Sequence, residues 1–158
     1  MNIIYYIVFF FWYLLSLLPL PVLYVFSDLL YFPLYYCVRY RRRIVRKNLT
    51  ESFPELSKEK VIRIEKQYYH FFCDYIIETI KLFSISKKQL KKRMTFGGVE
   101  EIVRKMKAEE KNFCFVYLGH YCNWEWIASL PYWAPDDILC GQIYHPLYNK
   151  AFDKLFLR

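Results

Sequence analysis

The stretch FCFVYLGHYCNWEW, residues 113–126, decides which fold the sequence predicts. Its first half is apolar and rich in aromatic residues, as is typical of a buried strand that ends at Gly119. The second half starts with His120 and continues into NWEWIASLPYW, which predicts a short helix that stops before Pro131. The chain is therefore expected to turn from strand to helix at a histidine.

A second apolar run, DILCGQIYH at residues 137–145, predicts another strand, and PLYNKAFDKLFLR begins a further helix. With the helices predicted before residue 112, the order becomes helix, strand, helix, strand, helix. That order is typical of an α/β fold with a parallel pair of strands. The predicted architecture is an N-terminal membrane-anchor helix, a helical segment, and then the start of an α/β layer.

Composition and charge narrow the class of partner. The 158 residues are 56% hydrophobic and 22% aromatic, and the apolar excess lies before about residue 40. A net charge of +8 predicts an anionic partner, either nucleic acid or anionic lipid. The five cysteines are odd in number and form no CxxC pair, which favours a reducing compartment over a disulfide framework. Cys73 and Cys114 lie in apolar runs and are expected to be buried.

The N-terminal run IIYYIVFFFWYLLSLLPLPVLYVF, residues 3–26, contains no charged side chain and is long enough to cross a bilayer. Pro19 and Pro21 are expected to break any helix that runs through it. A signal-anchor is the favoured interpretation. A cleaved signal peptide and a re-entrant hairpin that turns at the prolines are the alternatives. The predicted division is a hydrophobic anchor at residues 1–38 and a second domain at residues 39–158.

The segment RYRRRIVRKNL, residues 39–49, follows this anchor, and six of its eleven residues are Arg or Lys. Basic residues in that position mark the cytoplasmic side of a membrane protein and attract anionic headgroups. Specific binding of a phosphorylated lipid head is an alternative. Nucleic acid is disfavoured because the charge adjoins a membrane segment and no nucleic-acid motif follows.

Three helices are predicted between the basic segment and the first strand. Ser57 is an expected N-cap, and apolar residues recur at helical spacing from there to about residue 83. Residues 86–93 predict a short basic helix. Residues 99–109 predict a second amphipathic helix after the FGGV turn.

His120 and Glu125 are the candidate catalytic residues. If the strand ends at Gly119, the histidine lies at the carboxyl edge of the sheet and the carboxylate lies in the first turn of the next helix, where it can fold back. A histidine is the usual general base near neutral pH, and a carboxylate can orient it. No nucleophile-elbow serine precedes it, so the base is expected to deprotonate a hydroxyl of the substrate in a direct acyl transfer. The alternative is a polar ending to a buried strand.

A metal site is a weaker alternative. It would use two histidines and two cysteines: His120, Cys122, Cys140 and His145. These residue types suit zinc, but their spacings do not form a familiar ligand set.

The block LGHYCNWEW resembles the H-x4-D/E block of membrane-bound glycerolipid and lipid A acyltransferases. With Asn123 and Trp124 between the His and the Glu, it is similar to the lauroyl/myristoyl branch, which acylates lipid A precursors. GQIYHPLYNKAFDKLFLR, RYRRRIVRKNL and FFCDYIIETIKL also resemble segments of that branch, so the resemblance covers nearly the whole chain.

This resemblance implies a membrane-bound acyltransferase at the cytoplasmic face of the bacterial inner membrane. The donor would be acyl carrier protein or acyl-CoA, and the acceptor a hydroxyl of a lipid A precursor. His120 would be the general base and Glu125 its partner. The residues implied in substrate binding are Asn123, Tyr144, His145 and Asn149. No metal, organic cofactor or nucleic-acid partner is implied, and the oligomeric state stays open.

Two departures from the family pattern affect these expectations. Familiar members carry Arg where this chain has His145, and a neutral histidine holds phosphate less firmly than a bidentate arginine. Members of the branch are also longer, so residues 39–158 are interpreted as the N-terminal part of a truncated acyltransferase domain. A catalytically inactive membrane-anchored protein and a glycerophospholipid or ornithine-lipid acyltransferase therefore stay open as alternatives.

Overall fold

The computed structural model describes residues 3–143, 145–146 and 153. Its regular elements are helices: α1 (Ile3–Leu17), α2 (Leu20–Phe32), a π-helical turn (Pro33–Val38), α3 (Arg42–Ser52), α4 (Lys58–Lys81), α5 (Lys87–Arg93), α6 (Val99–Ala108) and a 3₁₀ helix (Trp124–Tyr132). The chain divides into two compact units, one formed by residues 15–83 and the other by residues 1–14 with 84–158.

The α/β prediction is wrong for the described residues, which contain no strand. Residues 112–119 and 137–143 adopt neither helix nor strand, and Tyr117 and Ile143 are each 91% exposed. An extended segment becomes a strand only when a neighbouring strand completes its backbone hydrogen bonds, and neither segment pairs with another within the described part of the chain. The start of an α/β acyltransferase layer is therefore not seen. The helix predicted from residue 146 lies almost wholly outside the described residues.

The two cysteines expected to be buried have different surroundings. Cys73 is fully buried, as predicted, within the helical unit of residues 15–83. Cys114 is exposed, contrary to the prediction, because the apolar run that carries it has no sheet to cover it.

The predicted break at the prolines is confirmed. Helix α1 ends at Leu17, and Pro19 occupies the N-cap position of α2 with φ −58° and ψ 143°. Helix α2 continues into the π-helical turn, which ends where Arg39 adopts a left-handed φ of 54°. The stretch Leu20–Val38 is 19 residues long and apolar enough to cross a membrane, by length and composition alone.

The turn before α4 and the helix itself form as the sequence predicts. The Ser57 hydroxyl accepts a hydrogen bond from the Lys60 N–H at 3.4 Å. One face of α4 is then buried at a spacing of three to four residues: Val61, Glu65, Tyr69, Cys73, Ile77, Ile80 and Lys81. Apolar residues dominate this stripe, but its second member is a carboxylate.

Helix α2 and the π-helical turn run antiparallel to α4 along a seam of polar and aromatic contacts. Four contacts define it: Tyr24 Oη to Glu78 Oε1 (2.6 Å), Ser27 Oγ to Asp74 Oδ1 (2.6 Å), the stacked rings of Tyr31 and His70 (3.6 Å between centroids), and Tyr35 Oη to Glu65 Oε1 (2.8 Å). Residue numbers rise on one element as they fall on the other. Tyr24, Ser27 and Tyr31 of α2 thus pack against α4. The exposed residues of α2 include Val22, Val25, Asp28 and Leu29.

Glu65 joins three elements at the end of this seam. Its carboxylate is fully buried and accepts two hydrogen bonds from Arg46 of α3, at 2.7 and 2.8 Å. It also accepts the hydrogen bond from Tyr35, and Arg42 lies 3.9 Å away. Burial by itself would raise the pKa of Glu65, but the hydrogen bonds from Arg46 and Tyr35 outweigh it and hold the pKa below its usual value.

Lys81 anchors the far end of the same seam. Its side chain is buried, and its Nζ donates to the carbonyl oxygens of Ser16 at 2.7 Å and Leu18 at 3.1 Å. These carbonyls belong to the C-terminal end of α1 and the break before Pro19, where helical hydrogen bonding stops. A buried lysine therefore satisfies the backbone that the proline leaves open.

The unit that contains residues 84–158 has a smaller core. Helix α5 begins with a capping box, in which the Ser86 hydroxyl accepts from the Gln89 N–H at 3.2 Å. Helix α6 begins after Gly98, whose φ of 79° is a left-handed conformation that suits glycine. Among the residues of this unit that the structure describes, the buried side chains are Leu90, Val103, Trp126 and Ser129.

The Glu65 cluster predicts a specific loss of stability. Glu65→Gln removes the charge that Arg46 and Tyr35 surround, and we expect the free energy of unfolding to fall by about 2–3 kcal/mol. Glu51→Gln is the matched control, because that carboxylate is 64% exposed and its pair with Lys47 contributes under about 0.5 kcal/mol. Denaturant titrations of both variants in detergent, followed by circular dichroism, measure the difference. Equal losses in the two variants would contradict the role of the buried carboxylate.

The lowered pKa of Glu65 also predicts how stability depends on pH. The stabilisation is complete above the unfolded pKa of about 4.5 and is lost as the pH falls through the lower pKa of the folded protein. The difference in unfolding free energy between wild type and Glu65→Gln should therefore shrink steadily from about pH 6 to about pH 3. Repeating the denaturant titrations across that range measures it. A difference that stays constant would contradict the assignment.

Candidate active site

His120 lies at the centre of a tight turn. The Tyr121 N–H donates to the Gly119 carbonyl oxygen at 2.8 Å, which closes a three-residue turn around the histidine. The histidine is exposed, and its ring meets the Trp124 ring edge-on, with centroids 4.4 Å apart and planes at 80°. The turn and the indole together hold an imidazole that is accessible to solvent.

Glu125 lies in the first turn of the 3₁₀ helix Trp124–Tyr132 and is partly buried. The helix is fixed from its inner side by Trp126, which is buried, and by Ser129, whose hydroxyl donates to the Trp126 carbonyl oxygen at 2.7 Å. The prediction placed Glu125 in the first turn of a helix, and this part is confirmed. The sheet edge that was expected to bring it to His120 is absent from the described residues.

The helix was predicted to stop before Pro131, and this prediction is wrong. The 3₁₀ helix includes the proline. Proline lacks an N–H, yet the Trp133 N–H donates to the Leu130 carbonyl oxygen at 2.9 Å and carries the hydrogen bonding past it. A 3₁₀ helix of this kind tolerates the proline because its bonds span three residues.

The other predicted binding residues fall into two groups. Asn123 occupies the N-cap position of the 3₁₀ helix and is partly buried, so it lies in the loop between His120 and Glu125. His145 is exposed, and its Nδ1 donates to the Pro146 carbonyl oxygen at 2.9 Å. Tyr144 and Asn149 lie outside the described residues. The structure therefore groups His120, Asn123 and Glu125 on one short segment.

The residues considered for a metal site do not come together as a ligand set in the described part of the chain. Within the described residues, no group of three or more His, Cys, Asp or Glu side chains is placed to hold a metal ion. His120 and Cys122 are exposed, and Cys122 has a left-handed φ of 51°.

The sequence identified the basic segment of residues 39–49 and a phosphorylated lipid head as one of its possible ligands, but it did not reveal Glu65 as the partner of two of these arginines. A basic cleft with a volume of about 580 Å³ lies beside Glu65. Arg39 and six residues of α3 line this cleft: Arg42, Arg43, Arg46, Lys47, Thr50 and Glu51. A signal was present, because Glu65 falls four residues after Val61 and four before Tyr69, within the apolar stripe. A carboxylate at such a position indicates a buried cationic partner.

Comparison with known proteins gives one match. The model of the family described as Bacterial lipid A biosynthesis acyltransferase matches residues 1–158. No curated protein and no solved structure matches the chain.

The helix that carries Glu125 predicts a contrast between two substitutions. Trp126 is 5% exposed, and its indole N–H has no hydrogen-bond partner among the described residues. Trp126→Phe should cost less than about 1.5 kcal/mol, because it keeps most of the ring and removes an unsatisfied donor. Trp126→Ala should cost about 3–5 kcal/mol, because it leaves a cavity. Thermal or denaturant unfolding measures both, and equal costs for the two variants would contradict the prediction.

Proposed function

The chain belongs to the bacterial lipid A biosynthesis acyltransferase family, and on this premise we propose that it moves a fatty acyl chain to a hydroxyl of a lipid A precursor. The donor in this proposal is a thioester, on acyl carrier protein or coenzyme A. The observation that carries the proposal is the family match over residues 1–158, within which His120 and Glu125 form an H-x4-E block.

His120 is the general base of the proposed reaction. One imidazole nitrogen accepts the proton of the acceptor hydroxyl as its oxygen attacks the thioester carbonyl carbon. The carbon–sulfur bond then breaks, and the departing thiolate takes the proton from the imidazolium. The exposed position of His120 at the centre of its turn supports this role, because a large lipid and a carrier-bound thioester must both reach the ring.

Glu125 is the proposed positioning residue. A carboxylate beside the second ring nitrogen fixes the tautomer and stabilises the imidazolium that forms during transfer. The short loop through Asn123 keeps the two residues on one segment, which supports their acting as a pair. Asn123, Tyr144, His145 and Asn149 remain the proposed substrate-binding residues.

The proposed location is the cytoplasmic face of the bacterial inner membrane, with residues 1–38 as the anchor and residues 39–158 as acyltransferase domain. The family is membrane-associated, and the candidate span Leu20–Val38 supports an anchor. The arginines that follow it support the orientation, since basic residues next to a span are enriched on the cytoplasmic side. Both proposed donors are cytoplasmic thioesters, which fits that side.

Activity assays on single variants test the proposal. Membranes that contain the wild-type chain are supplied with a labelled acyl thioester and a lipid A precursor, and the lipid products are identified by mass spectrometry. His120→Ala should lower the rate by about 10²–10⁴-fold, and Glu125→Gln by a smaller factor with the KM for the acceptor little changed. His70→Ala is the matched control, because His70 lies on α4 and packs against Tyr31 instead.

Three outcomes would contradict the proposal. Equal rates for wild type and His120→Ala would remove the general base. No lipid product from the wild-type chain would favour the inactive alternative. Acylated glycerophospholipid or ornithine lipid in place of acylated lipid A precursor would assign a different acceptor.

A further inference from the structure

The basic cleft beside α3 is chemically distinct from the candidate active site. Its lining contains four arginines and one lysine but one carboxylate, that of Glu51. A second shallow cleft adjoins it and shares Arg39, Arg42 and Arg43 with it. We propose that this basic cleft binds the phosphomonoester headgroup of a membrane lipid.

Glu65 neutralises only part of the positive charge of the cleft. It binds Arg46 in a bidentate pair and attracts Arg42 from 3.9 Å. No carboxylate among the described residues lies within salt-bridge distance of Arg39 or Arg43. Among the described residues, Arg39 and Arg43 therefore keep positive charge that no carboxylate neutralises.

The two arginines that contact Glu65, Arg42 and Arg46, are held in fixed positions. Arg42 donates to the Tyr35 carbonyl oxygen at 3.2 Å and lies over the Tyr35 ring, with its guanidinium carbon 5.1 Å from the centroid. Arg46 uses two of its five N–H donors on Glu65, and the others remain available to a ligand. A preorganised guanidinium loses little conformational entropy when it binds an anion.

The number of arginines that line the cleft indicates which class of phosphate it binds. A phosphodiester has one negative charge and two free oxygens, which one bidentate guanidinium can satisfy. A phosphomonoester carries about −1.5 to −2 charges at neutral pH and three free oxygens, so it can engage several guanidinium groups at once. A cleft lined by four arginines fits the monoester better.

Exposed apolar side chains beside the arginines identify a lipid as the source of the phosphate. Val38 is 69% exposed, Tyr40 44% and Ile44 52%, and all three lie among the basic residues. The candidate span Leu20–Val38 ends at the first of them. A soluble phosphate ester would leave these side chains in water, whereas a lipid at the membrane surface would cover them.

The test compares two double variants with the same loss of charge. Arg39→Gln/Arg43→Gln removes the two unneutralised arginines of the cleft. Arg63→Gln/Arg104→Gln removes two exposed arginines of α4 and α6 as a matched control. Each protein is purified in neutral detergent and titrated with phosphatidic acid or phosphatidylglycerol, and native mass spectrometry counts the bound lipid. Binding is measured without turnover, so the result does not depend on the proposed acyl transfer.

We expect wild type and the control to bind phosphatidic acid at least about tenfold more tightly than phosphatidylglycerol. The Arg39→Gln/Arg43→Gln variant should lose most of that preference. Val38→Ser/Ile44→Ser should weaken the binding of phosphatidic acid but keep the preference for it over phosphatidylglycerol. If both arginine double variants lose the same affinity for phosphatidic acid, net charge alone explains the binding and the proposal is overturned. Equal affinity for the two lipids would overturn the monoester assignment. Glycerol 3-phosphate that competes as well as phosphatidic acid at equal concentration would overturn the lipid assignment.

Discussion

The unit formed by residues 15–83 depends on one buried carboxylate. Glu65 has no contact with water, and a charge in that position is tolerated only when hydrogen bonds replace its hydration. Arg46 supplies two of these bonds from α3, and Tyr35 supplies a third from the π-helical turn. Because each partner belongs to a different element, the carboxylate sets the position of α3 and the turn against α4. Arg39 and Arg43, which lie near this pair in the sequence, have no carboxylate within salt-bridge distance in the described part of the chain.

The seam between α2 and α4 explains how an apolar helix can also be part of a packed unit. Ser27 and Tyr24 donate to carboxylates of α4, so these two hydroxyl groups face protein rather than solvent. The exposed residues of α2 include the apolar side chains of Val22, Val25 and Leu29 together with the charged side chain of Asp28. The seam thus separates a face of α2 that contacts α4 from a face that stays exposed.

The candidate active site is a local feature of the chain. His120, Asn123 and Glu125 lie within six residues, so a turn and one helical turn suffice to group them. The prediction that these residues form a site therefore does not depend on the predicted sheet, which was wrong for the described residues. The basic cleft instead depends on a contact between two helices, since Glu65 of α4 holds Arg46 and attracts Arg42, which both belong to α3.

The sequence by itself determined the features that depend on neighbouring residues. It predicted the break at Pro19, the N-cap at Ser57 and the helices after it, because backbone geometry, capping and apolar periodicity act within a few residues. Only the tertiary structure decided whether residues 112–119 had a partner strand, and whether a carboxylate in an apolar stripe had a buried arginine to meet it. Pairing of that kind joins residues that are distant in sequence, and local propensity carries no information about which distant group is present.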